Sequence, residues 1–160
     1  MRVRPTLPSG PQRARRQEIR CGKRSAEWHA AAQARPWGIT ADPLAYSPTA
    51  GKASDLAVVR QDKADGPDLV RCWMQQTPAR QLPNLQKVPI LILTAEASYH
   101  APYDHCTVKY LEQAGVKPAW TKLAEAGIHG NGHMMMLEKN NGEIGAVISR
   151  WLAKVGEGRR

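Results

Sequence analysis

The segment Gly127-Ile-His-Gly-Asn-Gly-His-Met-Met-Met-Leu-Glu-Lys139 places two histidines four residues apart in one glycine-rich stretch. The glycines permit a tight backbone path, and the apolar run 134–137 can anchor the stretch against an apolar surface. An imidazole on such a loop can accept a proton from a hydroxyl nucleophile and return it to the leaving group. The segment therefore predicts a catalytic loop, on which His133 and His129 are both candidate general bases.

The sequence around this loop alternates between strand and helix patterns. Residues 88–94 form a continuous apolar run, typical of a strand buried on both faces of a parallel sheet. A helix is predicted over 103–113, ending at Gly115, and a strand over 119–123. After the histidine loop, an amphipathic helix ending at Gly156 is predicted from apolar residues at helical spacing, namely Ile144, Val147, Ile148, Trp151, Leu152 and Val155. This βαβα order indicates an α/β fold, with a parallel sheet flanked by helices.

Two further helices are predicted nearer the start of this region. Ser54 is suited to cap a helix over 54–65, with Asp55 in its first turn. Pro67 is tolerated as the first residue of a second helix, whose apolar residues recur at helical spacing until Pro78. We expect these helices either to act as cap elements over a pocket or to pack on the sheet.

Residues 127–141 resemble a group of bacterial and fungal α/β-hydrolase esterases, as do Pro36-Trp-Gly-Ile-Thr40 and Glu96-Ala-Ser-Tyr-His100. The resemblance covers about residues 36–153. It implies hydrolysis of a small-molecule carboxylic ester through an acyl-enzyme, with no metal and no organic cofactor. Matching the more general Gly-x-Gly-His loop of that fold to residues 130–133 selects His133 as the general base and leaves His129 as the alternative.

The nucleophile that this resemblance requires is missing from the chain. None of the six serines, at positions 9, 25, 47, 54, 98 and 149, lies in a Gly-x-Ser-x-Gly motif. The triad of this fold runs along the chain as serine, acid, histidine. The sequence is therefore interpreted as the C-terminal part of a hydrolase. It is a truncated chain that holds the histidine, lacks the serine and is inactive alone.

The triad acid has two candidates within the resembling region. Glu96 lies just after the strand over 88–94, where many hydrolases carry the acid, and Asp104 is a weaker candidate. Either is equally compatible with a solvated loop carboxylate, Asp104 especially. In the resembled esterases the acid lies in a Glu-Pro-x-Gly-Pro-like turn, and the corresponding Leu7-Pro-Ser-Gly-Pro11 has a leucine there. A change of reading frame upstream of Pro36 would produce this pattern.

A metal site is the other chemistry that the histidines allow. Two loops meeting at one sheet edge would bring together five side chains, those of His100, Asp104, His105, His129 and His133. Two histidines four residues apart can bind zinc on a helix, but the glycines between His129 and His133 disfavour a helix there. In addition, no glutamate occupies the His-Glu-x-x-His position. No metal is predicted.

The basic charge of the chain is concentrated in its first 35 residues. These hold nine Lys or Arg against Glu18 and Glu27, whereas the other 125 residues carry 14 basic and 12 acidic side chains. We expect 1–35 to be a disordered basic tail, 36–155 to be the hydrolase-like region and 156–160 to be a short tail. Nucleic-acid binding by the body is not favoured. The alternative function is a noncatalytic binding module, whose tail engages an acidic partner.

Three cysteines and the hydropathy pattern bear on the compartment. Cys21, Cys72 and Cys106 are odd in number and widely spaced, which favours neither a disulfide framework nor a zinc ribbon. No apolar run approaches the length of a membrane span, so no membrane association is predicted. These observations predict a protein of the reducing cytoplasm. The oligomeric state is not determined by the sequence.

Overall fold

The computed structural model describes residues 35–158. The regular elements are β1 (Val58–Arg60), β2 (Trp73–Gln75), β3 (Leu91–Thr94), α1 (Asp104–Gln113), β4 (Ala119–Lys122) and α2 (Asn141–Glu157). Short 3-10 turns lie at Ala53–Asp55, Leu85–Lys87, Ala124–Ala126 and Met135–Leu137. The predicted tail, apart from Arg35, lies outside the described residues, as do the turn at Leu7 and the cysteine at position 21.

The strand–helix–strand unit predicted from the sequence is confirmed. β3 and β4 pair in parallel, from Leu91 opposite Ala119 to Thr94 opposite Lys122, and α1 connects them. Successive residues of β3 contact different apolar clusters: Ile92 packs against the cluster that contains residues of α1, and Leu93 against the cluster that contains Ile144 of α2. Because neighbouring side chains of a strand point to opposite faces, β3 contacts a different apolar cluster through each of its faces.

The larger apolar cluster fastens the start of the described chain to α1. It contains eight buried residues: Tyr46, Ala50, Leu56, Leu82, Tyr110, Leu111, Ala114 and Val116. The hydroxyls of Tyr46 and Tyr110 are 2.9 Å apart, and the Tyr46 hydroxyl donates to the carbonyl of Trp37 at 2.7 Å. Burial raises the pKa of both tyrosines, so both hydroxyls stay protonated and available as donors.

The prediction of two helices over 54–65 and 67–78 is wrong. Beyond the 3-10 turn at Ala53–Asp55 the chain forms an antiparallel pair, in which Val58 lies opposite Gln75 and Arg60 opposite Trp73. The β-branched pair Val58-Val59 favours extended backbone. The side-chain amide of Gln113 on α1 also bonds both the N–H and the carbonyl of Gln75, at 2.8 and 2.7 Å. These tertiary contacts outweigh the helical spacing of the apolar residues.

The predicted amphipathic helix is confirmed as α2, which continues past Gly156 to Glu157. Its apolar stripe is only partly covered, because Ile144 is 3% exposed whereas Leu152 is 55% exposed. The sheets are smaller than the sequence suggests: within residues 35–158 each of the two sheets has two strands. Leu91, Ile92 and Leu93 are accordingly half-buried and not enclosed on both faces.

The expectation that the cysteines form no disulfide is also wrong. Cys72, immediately before β2, is bonded to Cys106 in the first turn of α1. The pairing spans 34 positions of sequence, and its geometry depends on the packing of β2 against α1. Among the described residues, no helix combines the length and the apolar character that crossing a bilayer requires.

Candidate active site

Two loops at the carboxyl ends of the parallel strands form the candidate site. One follows β3 and begins at Ala95, and the other follows β4 and carries the two histidines. The N–H of Ala97 donates to the carbonyl of Asn131 at 2.9 Å and joins the two loops. Asn131 is 2% exposed and exchanges side-chain hydrogen bonds with Asn140 at 2.6 and 3.3 Å. The histidine loop is therefore held at a buried polar residue between its two histidines.

Glu96 contacts His129 and not His133. Its Oε2 accepts a hydrogen bond from the N–H of Gly130 at 2.8 Å and lies 3.3 Å from Nδ1 of His129. The Gly130 N–H, and then the His129 side chain, lower the pKa of the Glu96 carboxyl. Glu96 is consequently ionised near neutral pH, as the orienting acid of a triad must be. Both side chains of the pair are largely exposed, at 47% for Glu96 and 64% for His129.

His133 lies in a cluster of aromatic side chains from the other loop. Its ring is stacked on that of His100, with centroids 4.3 Å apart and planes 8° apart, and its centroid is 4.6 Å from that of Tyr99. Nδ1 of His133 is 3.5 Å from Oγ of Ser98. Within the part of the chain that the structure describes, neither Glu96 nor Asp104 forms an ion pair with His133.

Asp104 is not a solvated loop carboxylate, as the sequence suggested, but a buried one at the start of α1. Its Oδ2 accepts a hydrogen bond from the hydroxyl of Thr94 at 2.9 Å, and its Oδ1 lies 3.5 Å from Nδ1 of His100. The Thr94 oxygen in turn accepts a hydrogen bond from the indole N–H of Trp120 at 2.9 Å. A polar chain thus runs from β4 through β3 and α1 to His100, the ring on which His133 is stacked.

Burial is the main influence on His100 and lowers its pKa. The Asp104 carboxylate raises the pKa of His100 in part, and His133 and Arg35 lower it. Near neutral pH, His100 is therefore a neutral imidazole. Its tautomer determines which ring nitrogen donates a hydrogen bond and which accepts one.

Sequence reasoning did not assign roles to Ser98, Tyr99 or His100 at this site. All three lie in Glu96-Ala-Ser-Tyr-His100, in which Glu96 was a candidate acid and His100 was considered only as a metal ligand. The available signal was its position directly after β3, because loops at the carboxyl ends of neighbouring parallel strands meet at one sheet edge.

The five side chains weighed as metal ligands do not form one cluster. His129 lies with Glu96, whereas His100, Asp104 and His133 lie together. His105 is buried elsewhere, with Nε2 3.2 Å from the sulfur of Cys72 and 3.5 Å from that of Cys106.

An open depression of 370 Å³ adjoins the loop after β3. Glu96, Ala97 and Ser98 line one part, and Asp68, Leu69, Ala101 and Pro102 line the rest.

No protein-family model matches the chain, and no solved structure gives a significant match. One curated protein similar to it is the probable secreted lipase phiG of Fungal sp. (strain ATCC 74256), which is 50% identical over 123 residues. The match covers 76% of this chain but only 34% of that protein, so the chain spans about a third of its relative's length.

This similarity overturns the cytoplasmic expectation, because the relative is named as a secreted protein. The disulfide between Cys72 and Cys106 points the same way, since such bonds persist in oxidising compartments. The cysteine count misled the prediction because it took no account of which sulfur atoms the fold brings together. The comparison supports a lipase/esterase-type hydrolase as the kind of protein to which this chain is similar.

Proposed function

We propose that this chain carries the acid-and-histidine end of a carboxylic ester hydrolase, with His133 as the general base. The observation that carries the proposal is the 50% identity with a probable secreted lipase, over 123 residues. The loops after β3 and β4 support it, because they bring acids, histidines and a serine hydroxyl to the carboxyl ends of two parallel strands.

The proposed role of His133 is to take the proton of an attacking serine and to return it to the departing alcohol. Nδ1 of His133 faces Ser98, which leaves Nε2 to face the nucleophile. Attack on the ester carbonyl forms an acyl-enzyme, and water then releases the acid by the same proton transfers in the opposite direction. The substrate class is a small-molecule carboxylic ester.

The nucleophile of this reaction would come from outside these 160 residues. The chain contains no Gly-x-Ser-x-Gly motif. Ser98 is only 7% exposed, and its oxygen accepts a hydrogen bond from the N–H of His100 at 3.1 Å, so it is suited to position His133 and not to attack a substrate. We therefore propose that the chain alone is a truncated hydrolase without triad-dependent activity.

The alternative base is His129, with Glu96 as its acid. This pair has direct carboxylate–imidazole contact at 3.3 Å, which His133 lacks in the described chain. Its exposure weakens the case, because a solvated ion pair contributes little and orients its partners poorly. His133 is exposed as well, but its ring contacts those of Tyr99 and His100, and its Nδ1 lies next to Ser98.

A chimera provides the decisive test. The 123 matched residues of the fungal relative would be replaced by those of this chain, and hydrolysis of p-nitrophenyl butyrate would be compared with the intact relative. We expect an active chimera in which His133→Ala abolishes turnover, while His129→Ala retains most of it. Loss of activity only in His129→Ala and Glu96→Gln would identify His129 as the general base instead. An inactive chimera of a relative that is itself active, provided the chimera is folded, would overturn the proposal.

The isolated chain provides a second test. We expect the purified protein to hydrolyse p-nitrophenyl acetate no faster than a His133→Ala variant. Saturation kinetics that disappear in His133→Ala would show instead that a nucleophile lies within these residues.

A further inference from the structure

A second cluster of chemically reactive side chains lies between β2 and α1. The sulfurs of Cys72 and Cys106 lie 3.2 and 3.5 Å from Nε2 of His105, and the carboxylate of Asp65 lies 3.5 Å from the same nitrogen. Cys72, His105 and Cys106 are all at least 95% buried. One imidazole nitrogen therefore has two sulfurs and one carboxylate oxygen around it.

These separations match those between the ligands of a tetrahedral zinc ion. With Zn–S near 2.3 Å, Zn–N near 2.0 Å and Zn–O near 2.0 Å, a nitrogen ligand lies about 3.5 Å from each sulfur and about 3.3 Å from the oxygen. Three of the required ligand separations are thus already present. The two sulfurs, which are bonded to each other, must move apart, and the Asp65 oxygen must move closer to them, because the ligand atoms that lie within 4.8 Å of one another are those of Cys72, His105 and Cys106.

We propose that Cys72, His105, Cys106 and Asp65 form a zinc site when the disulfide is reduced. The donor set contains two thiolates, one imidazole and one carboxylate, each of them a common zinc ligand. Cys72 and Cys106 would then connect β2 to α1 in both states, through a sulfur–sulfur bond under oxidising conditions and through a metal ion, with His105 and Asp65 as further ligands, under reducing conditions.

Formation of the zinc site requires a two-electron reduction of the disulfide. A water-soluble phosphine and one water reduce the disulfide to two thiols and leave the phosphine oxide. Zinc then binds both sulfurs as thiolates, and their two protons pass to the buffer. Asp65 accepts two hydrogen bonds from Lys109, at 2.8 and 2.9 Å, and one oxygen must leave or share this contact to bind the metal.

The cluster is adjacent to the candidate active site along α1. His105 follows Asp104 directly, and Asp104 holds His100. A bond or metal ion that restrains the first turn of α1 therefore also restrains Asp104. This inference does not depend on the proposed ester hydrolysis, because its readouts are metal binding and secondary structure.

The test uses the full 160-residue chain, reduced with a phosphine that is then removed under nitrogen. Cobalt(II) chloride is titrated as the probe, and zinc chloride is added to displace it. We expect one equivalent of cobalt to give thiolate charge-transfer absorption and intense tetrahedral visible bands, which zinc abolishes. The oxidised chain should give neither signal.

Variants determine which side chains bind the metal. His105→Ala should weaken cobalt binding by at least about tenfold, since even outer-shell partners of a zinc ligand contribute that much. Asp65→Ala removes an exposed side chain, and we expect it to keep the thiolate absorption but to alter the visible bands. Cys21→Ser and His129→Ala are the matched controls, and both should bind as the unmodified chain does.

Several results would overturn the inference. One is the absence of cobalt and zinc binding by the reduced chain, and another is equal binding by His105→Ala. Loss of metal binding in Cys21→Ser would show that the metal binds outside this cluster. If reduction abolishes the circular dichroism of the folded chain and zinc does not restore it, the reduced cluster does not form a site.

Discussion

The imidazole of His133 lies almost parallel to that of His100, with ring centroids 4.3 Å apart and planes 8° apart. His100 is also 3.5 Å from the buried carboxylate of Asp104. The candidate base and the buried acid are thus connected through an intermediate imidazole, whereas the more exposed acid, Glu96, contacts the other histidine of the loop. Protonated His133 disfavours the protonation of His100, because like charges at this separation repel.

The stability of the fold is expected to depend on pH through His100. Burial lowers the pKa of His100 below its ordinary value of 6.5. In the window just below that value the unfolded chain binds a proton that the folded chain does not, so the stability falls as the pH falls. His100→Gln should reduce this loss. Urea unfolding of the unmodified chain and of His100→Gln at about pH 7.5 and about pH 5 measures this loss of stability. An unchanged pH dependence in the variant would contradict the prediction.

Thr94 is expected to stabilise the fold through its hydroxyl. It donates to Asp104 and accepts from the indole of Trp120, each at 2.9 Å. Thr94→Val keeps the shape but leaves a buried carboxylate without that donor, and we expect a loss of about 1–3 kcal/mol in the free energy of unfolding. The exposed Thr49→Val is the control, with an expected change within about 0.5 kcal/mol. Equal urea midpoints for the two variants would refute the role of the hydroxyl.

Gly130 is expected to tolerate no side chain without strain. Its φ is +76°, and a Cβ there would meet no atom within 4 Å, so the cost of Gly130→Ala comes from the left-handed backbone alone. That cost is about 1–2 kcal/mol. Gly145→Ala is the matched control, because it also meets no atom but lies within α2, where alanine should stabilise by about 0.5–1 kcal/mol. Thermal unfolding should therefore shift in opposite directions in the two variants.

The two ends of the apolar stripe on α2 are expected to differ in their contribution to stability. Ile144 is 3% exposed and packs against Ala95, Leu123 and Ile128, so Ile144→Ala should cost about 2–4 kcal/mol. Leu152 is 55% exposed, and Leu152→Ala should cost less than about 1 kcal/mol. Comparable losses in urea unfolding would indicate that Leu152 is covered in solution, for example by a second copy of the chain.

Local patterns predicted the elements that surround the candidate site. The helix ending at Gln113 and the helix with the apolar stripe, α2, formed as their side-chain periodicity predicted, whereas the apolar run ending at Thr94 formed a shorter strand that is not enclosed on both faces. The region between Ser54 and Pro78 was misjudged, because its apolar spacing is compatible with a helix while its pairing depends on Gln113, which is distant in the sequence. Strand pairing of this kind is a tertiary property.

The sequence by itself determined which chemistry-bearing residues lie on loops after strands, because motif and periodicity are local. Only the tertiary structure decided which of them meet: Glu96 with His129, Asp104 with His100, and Cys72 with Cys106. The physical reason is that hydrogen bonds, ion pairs and disulfides act over a few ångströms. Which side chains approach so closely is decided by how the loops join and how α1 packs against its neighbouring strands.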